Sequence, residues 1–396
     1  MTDLSDVKEM TLADVDQMMA LVHYAFQWEL SEKNRQRFQM LAENSWNFGS
    51  FDDKGQLASQ VMATPFSVDL FGDTHLMVGV GFVASYPEYR SQGRIDQIMT
   101  QLLATARERG ANLSYLAPFS YPFYRRYGYE LIFERAVYDV PANQWPDSAK
   151  VPGTLRRLDW QEAKPIISEL FPKAQRHHQG GVQRDSWWLD FKFPLRKDYQ
   201  YAIYYDANGN PQGYLVYLLQ PGLMTIAEWT WLSGEAFRGL NRFVASHSGS
   251  VARIFYEMGY DGENLQFLTQ VPLQDFRVVP EMMARVVDVA SFLKDTKKVA
   301  NLPESLALEI VEDRYAPWNN GLFELQKGEQ GVTIAKVATT QLPKVSLTIQ
   351  RFSQLFMGYL TPETLAFHDL IEVDKKTLKS LKAILPDQKP ILEDYF

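Results

Sequence analysis

The stretch 76-LMVGVGFVASYPEYRSQGRIDQIMTQLLATA-106 decides the fold of this chain. Its first half is an apolar run with the composition of a buried strand. Its second half repeats apolar residues at helical spacing, from Ile95 to Ala106. Arg90 and Gly93 stand where the strand gives way to the helix. Backbone N–H groups and the helix dipole at such a junction favour a bound anion, so we expect a pyrophosphate there.

Length and composition restrict the remaining choices. A chain of 396 residues is too long for one hydrophobic core, so we expect two or three domains. The formal net charge of −8 argues against a nucleic-acid partner and mildly favours cationic ligands. The chain contains no cysteine, which excludes disulfides, thiol nucleophiles and cysteine metal sites.

The sequence carries no sign of a membrane or metal protein. The opening MTDLSDVKEM lacks the basic segment and apolar core of a signal peptide. No apolar run approaches the 18 residues or so that a membrane-spanning helix needs. The histidines show no metal-ligand spacing such as HExxH. We therefore expect a cytoplasmic protein without a metal.

Periodicity in the first third predicts the order α-α-β-β-β-α-β, which is typical of an α/β sheet covered by helices. Thr11 and Asp14 form a capping pair before the first helix. Asp52 to Gly55 form a hairpin turn signal between two strands. The predicted helices start near residues 15, 34 and 94, and the predicted strands span 46–51, 56–70, 76–86 and 113–117.

The middle third loosely repeats the first. A hairpin with Asn208-Gly209 at its turn is followed by the strand-like MTIAEWTWL and a helix at 235–246. Strand, strand and helix echo the earlier order and indicate a diverged duplication. This segment has no counterpart of the Arg90–Gly93 turn, so we expect its phosphate site to be lost.

The pattern changes again near Pro280. The segment MMARVVDVASFLK reads as a helix or a strand edge that opens a third unit. Four strand candidates follow, in LALEIVED, GLFELQKG, GVTIAKVA and VSLTIQRF, and then helices at 361–365 and 374–384. Paired strands with helices to one side predict an α+β domain.

The Arg90-x-x-Gly93 turn and the later segment FYRRYGYE together resemble the GNAT family of N-acetyltransferases. Ile95 stands where the family motif ends on a small residue. The three-part length, APFSYPFYRRYGYE and the terminal Phe396 resemble, more narrowly, the Eis-like (enhanced intracellular survival) acetyltransferases. That resemblance implies tandem GNAT folds, the first active and the second degenerate, at residues 1–150 and 151–280. It implies a sterol-carrier-protein-like α+β domain at residues 281–396.

The resemblance implies acetyl-CoA as co-substrate. Backbone amides of the turn would hold its pyrophosphate, with Arg90 or Arg94 supplying a compensating charge. The strand before the turn would pair with the pantetheine arm. Without the resemblance, an R-x-x-G turn is more often an ordinary polar turn, and Gly79 and Gly81 suit a core strand packed under a helix equally well. The implied cofactor-binding residues are Val83, Ala84, Ser85, Arg90, Ser91, Gln92, Gly93, Arg94, Ile95, Asp96, Phe119 and Ser120.

Two catalytic residues are implied in the same way. Tyr124 would be the general acid that protonates the departing CoA sulfur. The α-carboxylate of Phe396 would be the general base that accepts the proton of the attacking amine. The alternatives are packing roles: the tyrosines around Tyr124 crowd one region, and an aromatic tail could simply pack against the third domain.

The resemblance thus implies an N-acetyltransferase that acts on primary amines by direct attack in a ternary complex. The acceptors it implies are of aminoglycoside-like, lysine or polyamine type. The segment with Phe26, Trp28 and Glu29 leaves the acceptor open. The alternative is a non-catalytic lipid-binding or interaction protein with a vestigial acetyl-CoA site. Another acyl donor is a third reading. The resemblance also implies a homo-oligomer, a trimer or a hexamer.

Overall fold

The computed structural model describes residues 7–263 and 275–396, and the chain forms two compact units. The first unit takes Met1–Ile132, Glu281–Pro390 and Tyr395–Phe396. The second takes Phe133–Pro280 and Ile391–Asp394. This division into two units does not test the predicted boundaries at 150 and 280 between three domains, which stay a prediction.

The first third follows the predicted order, with one additional strand at its start. Thr11 and Asp14 form the expected capping box, which opens a 3₁₀ turn directly before the first helix. The additional strand, Val7–Met10, is short and mostly exposed, so it has no clear alternation to reveal it. The elements are β1 Val7–Met10, α1 Val15–Phe26, α2 Glu32–Glu43, β2 Trp46–Phe51, β3 Leu57–Leu70, β4 Asp73–Ser85, α3 Arg94–Glu108, β5 Leu113–Leu116 and α4 Tyr121–Arg125.

The middle of the chain contains the predicted hairpin, strand and helix. The turn at Asn208-Gly209 has Gly209 at φ 83°, a left-handed conformation that favours glycine. The elements are β6 Glu130–Pro141, β7 Thr154–Leu158, α5 Trp160–Leu170, β8 Gln179–Gln183, α6 Ser186–Lys192, β9 Gln200–Tyr205, β10 Pro211–Gln220, β11 Leu223–Trp231, α7 Gly234–Ala245 and β12 Arg253–Gly259. In the second unit the strands run in the order β6-β12-β11-β10-β9-β7.

The last third has a separate four-stranded sheet with helices after it. The elements are β13 Phe276–Val286, α8 Val289–Asp295, β14 Leu306–Ile310, β15 Gly321–Gly328, β16 Gly331–Val337, β17 Lys344–Leu347, α9 Ile349–Phe356, α10 Pro362–Phe367 and α11 Lys375–Ala383. The separate sheet runs in the order β16-β15-β14-β17. The predicted helices at 361–365 and 374–384 correspond to α10 and α11.

Helix α9 corrects one prediction. The strand predicted for VSLTIQRF ends at Leu347, and Thr348 then caps a helix by accepting a hydrogen bond from the Arg351 amide. Ile349, Phe352 and Phe356 are buried on one side of that helix. Their spacing of three to four residues is helical. The helix directly follows an apolar strand, so in the sequence the two apolar patterns merge and the helix is easily read as a continuation of the strand.

The segment MMARVVDVASFLK contains both structures that its pattern allowed. Met283–Val286 of β13 pair antiparallel with Leu113–Leu116 of β5, and the next residues form α8. The sheet of the first unit therefore runs in the order β1-β2-β3-β4-β5-β13. Helix α3 covers this sheet through Ile98, Leu102 and other apolar residues that pack in one core with Val61 and Val78.

Candidate active site

Strand β4 contains a bulge where it approaches the start of α3. Met62 of β3 pairs with Gly81, whereas Gln60 pairs with Ala84. Two steps along β3 thus match three along β4, so β4 carries one extra residue. Within the bulge Phe82 has φ 48°, a left-handed conformation that a bulky residue rarely adopts. The bulge reorients the backbone of β4 just before the turn.

Beyond the bulge β4 also loses its other neighbour. The parallel strand β5 pairs with β4 only between Met77–Val80 and Leu113–Leu116. Val83, Ala84 and Ser85 still pair with β3 or lie beside its register, but their opposite edge has no strand partner among the described residues. Backbone N–H and C=O groups on that edge are therefore open to an extended ligand.

The turn after β4 presents backbone amides in a concave arrangement. Ser91 has φ 60° and Gly93 has φ 76°, and alternating left-handed residues make consecutive N–H groups converge. Gly93 is also the N-cap of α3 and has no side chain to cap it. The first amides of α3, from Arg94 to Asp96, therefore have no partner within the helix. This arrangement suits the oxygens of a phosphate group.

The second unit also has a junction between a strand and a helix, from β11 to α7, but there a side chain caps the start of the helix. Ser233 is the N-cap of α7, and its hydroxyl accepts a hydrogen bond of 3.1 Å from the Ala236 amide. The capped helix satisfies one of its own free amides. The predicted absence of a turn like Arg90–Gly93 therefore coincides with a self-capped helix.

A cleft of about 810 Å³ lies in the first unit along the open edge of β4 and the start of α3. Most of the predicted cofactor residues line it, namely Val83, Ala84, Ser85, Arg90, Ser91, Gly93, Arg94, Ile95, Asp96 and Phe119. Gln92 and Ser120 are not among its lining residues. The side-chain amide of Gln92 donates a hydrogen bond to the Glu88 carbonyl. The Ser120 hydroxyl caps α4 by accepting a hydrogen bond from the backbone amide of Phe123.

Five lining residues were not among the predicted cofactor residues, although the sequence named Phe26 in connection with the acceptor. They come from α1, the 3₁₀ turn before Arg90 and the end of α4, and they are Ala25, Phe26, Tyr89, Phe123 and Arg126. The last two belong to the quoted FYRRYGYE segment, so proximity to Tyr124 was an available signal for them. The others come from elements that only the tertiary fold brings to the cleft.

The two candidate cations of the turn differ in their environment. The Arg94 guanidinium donates 2.6 Å to the Ser50 hydroxyl and 3.0 Å to the Phe51 carbonyl, so it holds the turn against β2. Arg90 is exposed and has no ion pair or side-chain hydrogen bond with the described residues. Of the two, Arg90 is the cation free to meet an anionic ligand.

Tyr124 differs from Tyr127 and Tyr129, whose hydroxyls are both hydrogen-bonded. The Tyr127 hydroxyl donates to the Asp96 carboxylate, and the Tyr129 hydroxyl lies 2.7 Å from the Ser114 hydroxyl. Tyr124 is 3% exposed, and its hydroxyl has no hydrogen-bond partner among the described residues. Burial, with a smaller effect of Tyr129 and Tyr395, raises the pKa of Tyr124. The hydroxyl stays protonated at neutral pH and has a proton to donate.

The final residue of the chain packs on the bulged strand. A Cβ atom added to Gly79 would lie 2.5 Å from Cδ2 of Phe396 and 2.6 Å from its Cε2. A Cβ atom on Gly81 would lie 3.7 Å from the terminal carboxyl carbon. The ring of Phe66 lies 5.3 Å from that of Phe396 between centroids. The glycines of β4 thus make room for the C-terminus, and not for a helix.

An aromatic cluster surrounds the bulge residue. The Phe82 ring lies 5.8 Å from Phe26, 5.7 Å from Trp28 and 5.6 Å from Phe38, measured between centroids. Phe26 and Trp28 are the aromatic residues that the sequence placed near an acceptor. Glu29, between these elements, is exposed. The cluster offers aromatic faces and one nearby carboxylate.

Two buried histidines contact neighbouring side chains in the interior of their units. The ring of buried His177 lies 3.2 Å from the Thr230 hydroxyl, and His75 stacks on Phe292. Within residues 7–263 and 275–396 no group of three or more His, Asp or Glu side chains is placed to hold a metal ion. None of the helices in these ranges is both long and apolar enough to cross a membrane.

Three segments match known protein families. Residues 6–132 and residues 180–286 each match a family described as an acetyltransferase (GNAT) domain. Residues 289–393 match a sterol carrier protein domain. The fold is therefore two tandem GNAT domains followed by a sterol-carrier-like domain, as the sequence predicted.

Two relatives that cover nearly the whole chain, and one that covers part of it, agree with this. A crystal structure from Enterococcus faecalis, described as a conserved protein of unknown function and probable N-acyltransferase, is 41% identical, with a TM-score of 0.94, over 98% of this chain and 99% of that one. Eis1 from Mycobacterium abscessus shares the fold at 16% identity, with a TM-score of 0.77, over 99% of this chain and 100% of that one. An uncharacterized N-acetyltransferase of Streptomyces avermitilis is 27% identical over 182 residues, and the match spans 43% of each protein.

The contact between Gly79 and Phe396 predicts in which direction a substitution changes the free energy of unfolding. We expect Gly79→Ala to lower the free energy of unfolding by about 1–3 kcal/mol, because the new methyl collides with the ring. Once Phe396 is deleted, the same substitution should stabilise by up to about 1 kcal/mol, because alanine is better than glycine inside a strand. Thermal and denaturant unfolding of the four variants measures this.

Gly249→Ala is the matched control, since a Cβ there meets no atom within 4 Å. It should be nearly neutral with and without Phe396. Equal destabilisation by Gly79→Ala in both backgrounds would contradict the packing described.

Proposed function

Because the chain belongs to the GNAT family of acyltransferases, we propose that it transfers an acetyl group from acetyl-CoA to a primary amine in a ternary complex. The observation that carries this proposal is the amide nest at Ser91–Asp96 opening onto the unpaired edge of β4. GNAT domains use acetyl-CoA as co-substrate. A nest for phosphates next to an open strand edge for an extended arm matches the two ends of that molecule.

In the proposed binding mode the amides of Ser91, Gln92, Gly93, Arg94, Ile95 and Asp96 hold the pyrophosphate. Arg90 supplies the compensating positive charge. The backbone of Val83, Ala84 and Ser85 pairs with the pantetheine arm as an added strand would. Phe119, which is 71% exposed at the cleft, and Ser120 contact the part of the co-substrate nearest the thioester.

In the proposed mechanism the acceptor amine attacks the thioester carbonyl carbon directly. The Phe396 carboxylate accepts the proton that the amine loses on forming the new C–N bond. As the C–S bond breaks, the Tyr124 hydroxyl donates its proton to the sulfur. Burial raises the pKa of Tyr124, so the phenol is protonated at physiological pH and its proton is available for transfer. An α-carboxyl group, with an ordinary pKa of about 3.5, is ionised at physiological pH and is able to accept a proton.

The proposed acceptors are primary amines of aminoglycoside-like, lysine or polyamine type. The net charge of −8 favours cationic substrates, and the faces of Phe26 and Trp28 suit a cation. Exposed Glu29 adds one local negative charge. These features support the charge class of the acceptor.

The proposal extends to the rest of the chain. We assign an active GNAT domain to residues 1–150, a degenerate one to 151–280 and the sterol-carrier-like domain to 281–396. The self-capped α7 supports degeneracy of the second domain. We further propose an Eis-like enzyme that is a cytoplasmic homo-oligomer, a trimer or hexamer, whose molar mass in solution light scattering would measure.

The first test concerns binding. Gly93→Ala should weaken acetyl-CoA binding about tenfold in calorimetric titration, because an L residue is strained at φ 76° and the amides move out of line. Gly110→Ala at the other end of α3 is the matched control, since Gly110 has φ 84° and similarly open surroundings. It should leave the affinity unchanged. A wild-type protein without saturable binding would instead support the vestigial, lipid-binding alternative.

The second test concerns the acid. Tyr124→Phe should lower kcat about 100-fold while the Kd of acetyl-CoA stays within about twofold, because only proton donation is lost. Tyr205→Phe serves as a control for loss of a phenol elsewhere. A collapse of acetyl-CoA affinity in Tyr124→Phe would make Tyr124 a binding or structural residue.

The third test concerns the base. Deleting Phe396, or Tyr395 and Phe396 together, should lower acetyl transfer at least about 100-fold across a panel of aminoglycoside, lysine-peptide and polyamine acceptors, measured by product mass spectrometry. Adding one glycine after Phe396 keeps the ring and moves the carboxylate, and should have a similar effect. Wild-type turnover in these folded variants would eliminate the carboxylate as base.

A further inference from the structure

The end of the chain is divided between the two units. Ile391–Asp394 belong to the second unit, and Tyr395–Phe396 belong to the first. Chain ends usually fray unless something holds them. Here the four residues before the last two are held by a buried ionic cluster that the mechanism above does not use.

Asp394 is at the centre of this cluster and is fully buried. Its carboxylate accepts hydrogen bonds from the Arg184 guanidinium at 3.0 and 3.1 Å and from the Trp188 indole at 2.8 Å. The Lys192 ammonium lies 3.1 Å from the same carboxylate. Burial alone would raise the pKa of Asp394, but Arg184 and Lys192 outweigh it and lower the pKa.

Glu228 completes the charge balance. It accepts two hydrogen bonds of 2.7 Å from Arg184 and one of 2.6 Å from the Tyr214 hydroxyl. Lys192 lies 2.7 Å from it. Two cations thus face two anions, and the side chains of Arg184, Glu228 and Asp394 are at most 2% exposed. Removing one member would leave an unpaired charge in the interior.

Further contacts hold the backbone on either side. Lys192 donates to the Glu393 carbonyl at 2.7 Å, and the Glu393 carboxylate pairs with Arg176 at 3.0 Å. The Ile391 amide donates 2.8 Å to the Gln179 carbonyl. Ile391, Glu393 and Asp394 are therefore each held in place, by backbone as well as side-chain groups.

Replacing such a cluster by apolar residues is often neutral or stabilising, so stability alone does not explain it. The position of the cluster in the chain explains it. Asp394 is followed by two residues, and two residues span at most about 7 Å. A fixed Asp394 confines the terminal carboxylate to a small volume. Catalysis by a positioned group is sensitive to displacements of about 1 Å.

We propose that Asp394, Arg184 and Lys192 are positioning residues that hold the C-terminal carboxylate in place for catalysis. The inference rests on the proposed role of Phe396 as base. It gives the second GNAT domain a task in the reaction other than binding acetyl-CoA. The cluster acts through the chain, and none of its members touches the substrate.

The kinetic test uses Asp394→Asn in the full chain. We expect kcat for amine acetylation to fall about 100-fold while the Kd of acetyl-CoA stays within about twofold. The matched control is Asp147→Asn, an Asp whose ion pair with Arg242 is 3.8 Å long and exposed. It should retain wild-type turnover. Unchanged kcat in folded Asp394→Asn would overturn the proposal.

A double-mutant cycle separates positioning from a general structural role. In the background that lacks Phe396, Asp394→Asn should cause no further loss of kcat, because there is nothing left to position. Multiplied losses, or a parallel fall in acetyl-CoA affinity, would mean that the cluster only supports the fold. If Asp394→Asn does not fold, Glu393→Gln, which breaks the less buried pair with Arg176, replaces it in every arm.

Release of Phe396 by carboxypeptidase A tests the anchoring without reference to activity. The wild-type terminus should resist digestion, and Asp394→Asn should release Phe396 at least about tenfold faster, with Asp147→Asn like the wild type. Equal release rates would overturn the positioning role even if Phe396 is the base. Wild-type turnover after deletion of Phe396 would instead refute the base, and the digestion result would still decide whether the cluster anchors the terminus.

Discussion

The candidate site depends on a single constraint: β4 must keep its pairing with β3 while it loses β5 beyond Val80. The β3 pairing holds the strand in the sheet, and the bulge at Phe82 turns its backbone toward the open side. The missing neighbour leaves an edge that an extended ligand could occupy. The backbone amides of the turn, the cleft and the packing of Phe396 against Gly79 all involve this strand. Each would be lost if β4 paired regularly along its whole length.

The two GNAT domains show how little separates an open helix start from a closed one. In the first, Gly93 leaves the amides of α3 unpaired, and in the second, Ser233 caps α7 with its own hydroxyl. The second domain instead holds residues 391–394 through Arg184 and Lys192.

Local pattern was sufficient for much of this architecture. The strand–turn–helix around Arg90, the capping box at Thr11 and the hairpin at Asn208 rest on contacts between near neighbours, so the sequence predicts them. Long-range contacts were not accessible in this way. The hydrogen bond from Arg94 to Ser50 and the packing of Phe396 against Gly79 depend on partners 44 or more residues away. The contrast between Tyr124 and the hydrogen-bonded Tyr127 and Tyr129 depends on comparing several side chains.

The seating of Phe396 over Gly79 ties two positions that are distant in the chain. Neither residue is free to change alone, since a side chain at 79 displaces the ring, and loss of the ring leaves a gap above a strand weakened by glycine. Among homologous chains the pair should therefore covary, with glycine at this position wherever an aromatic residue ends the chain. Such covariation would mark, from sequence alone, which relatives fold their last residue into the first domain.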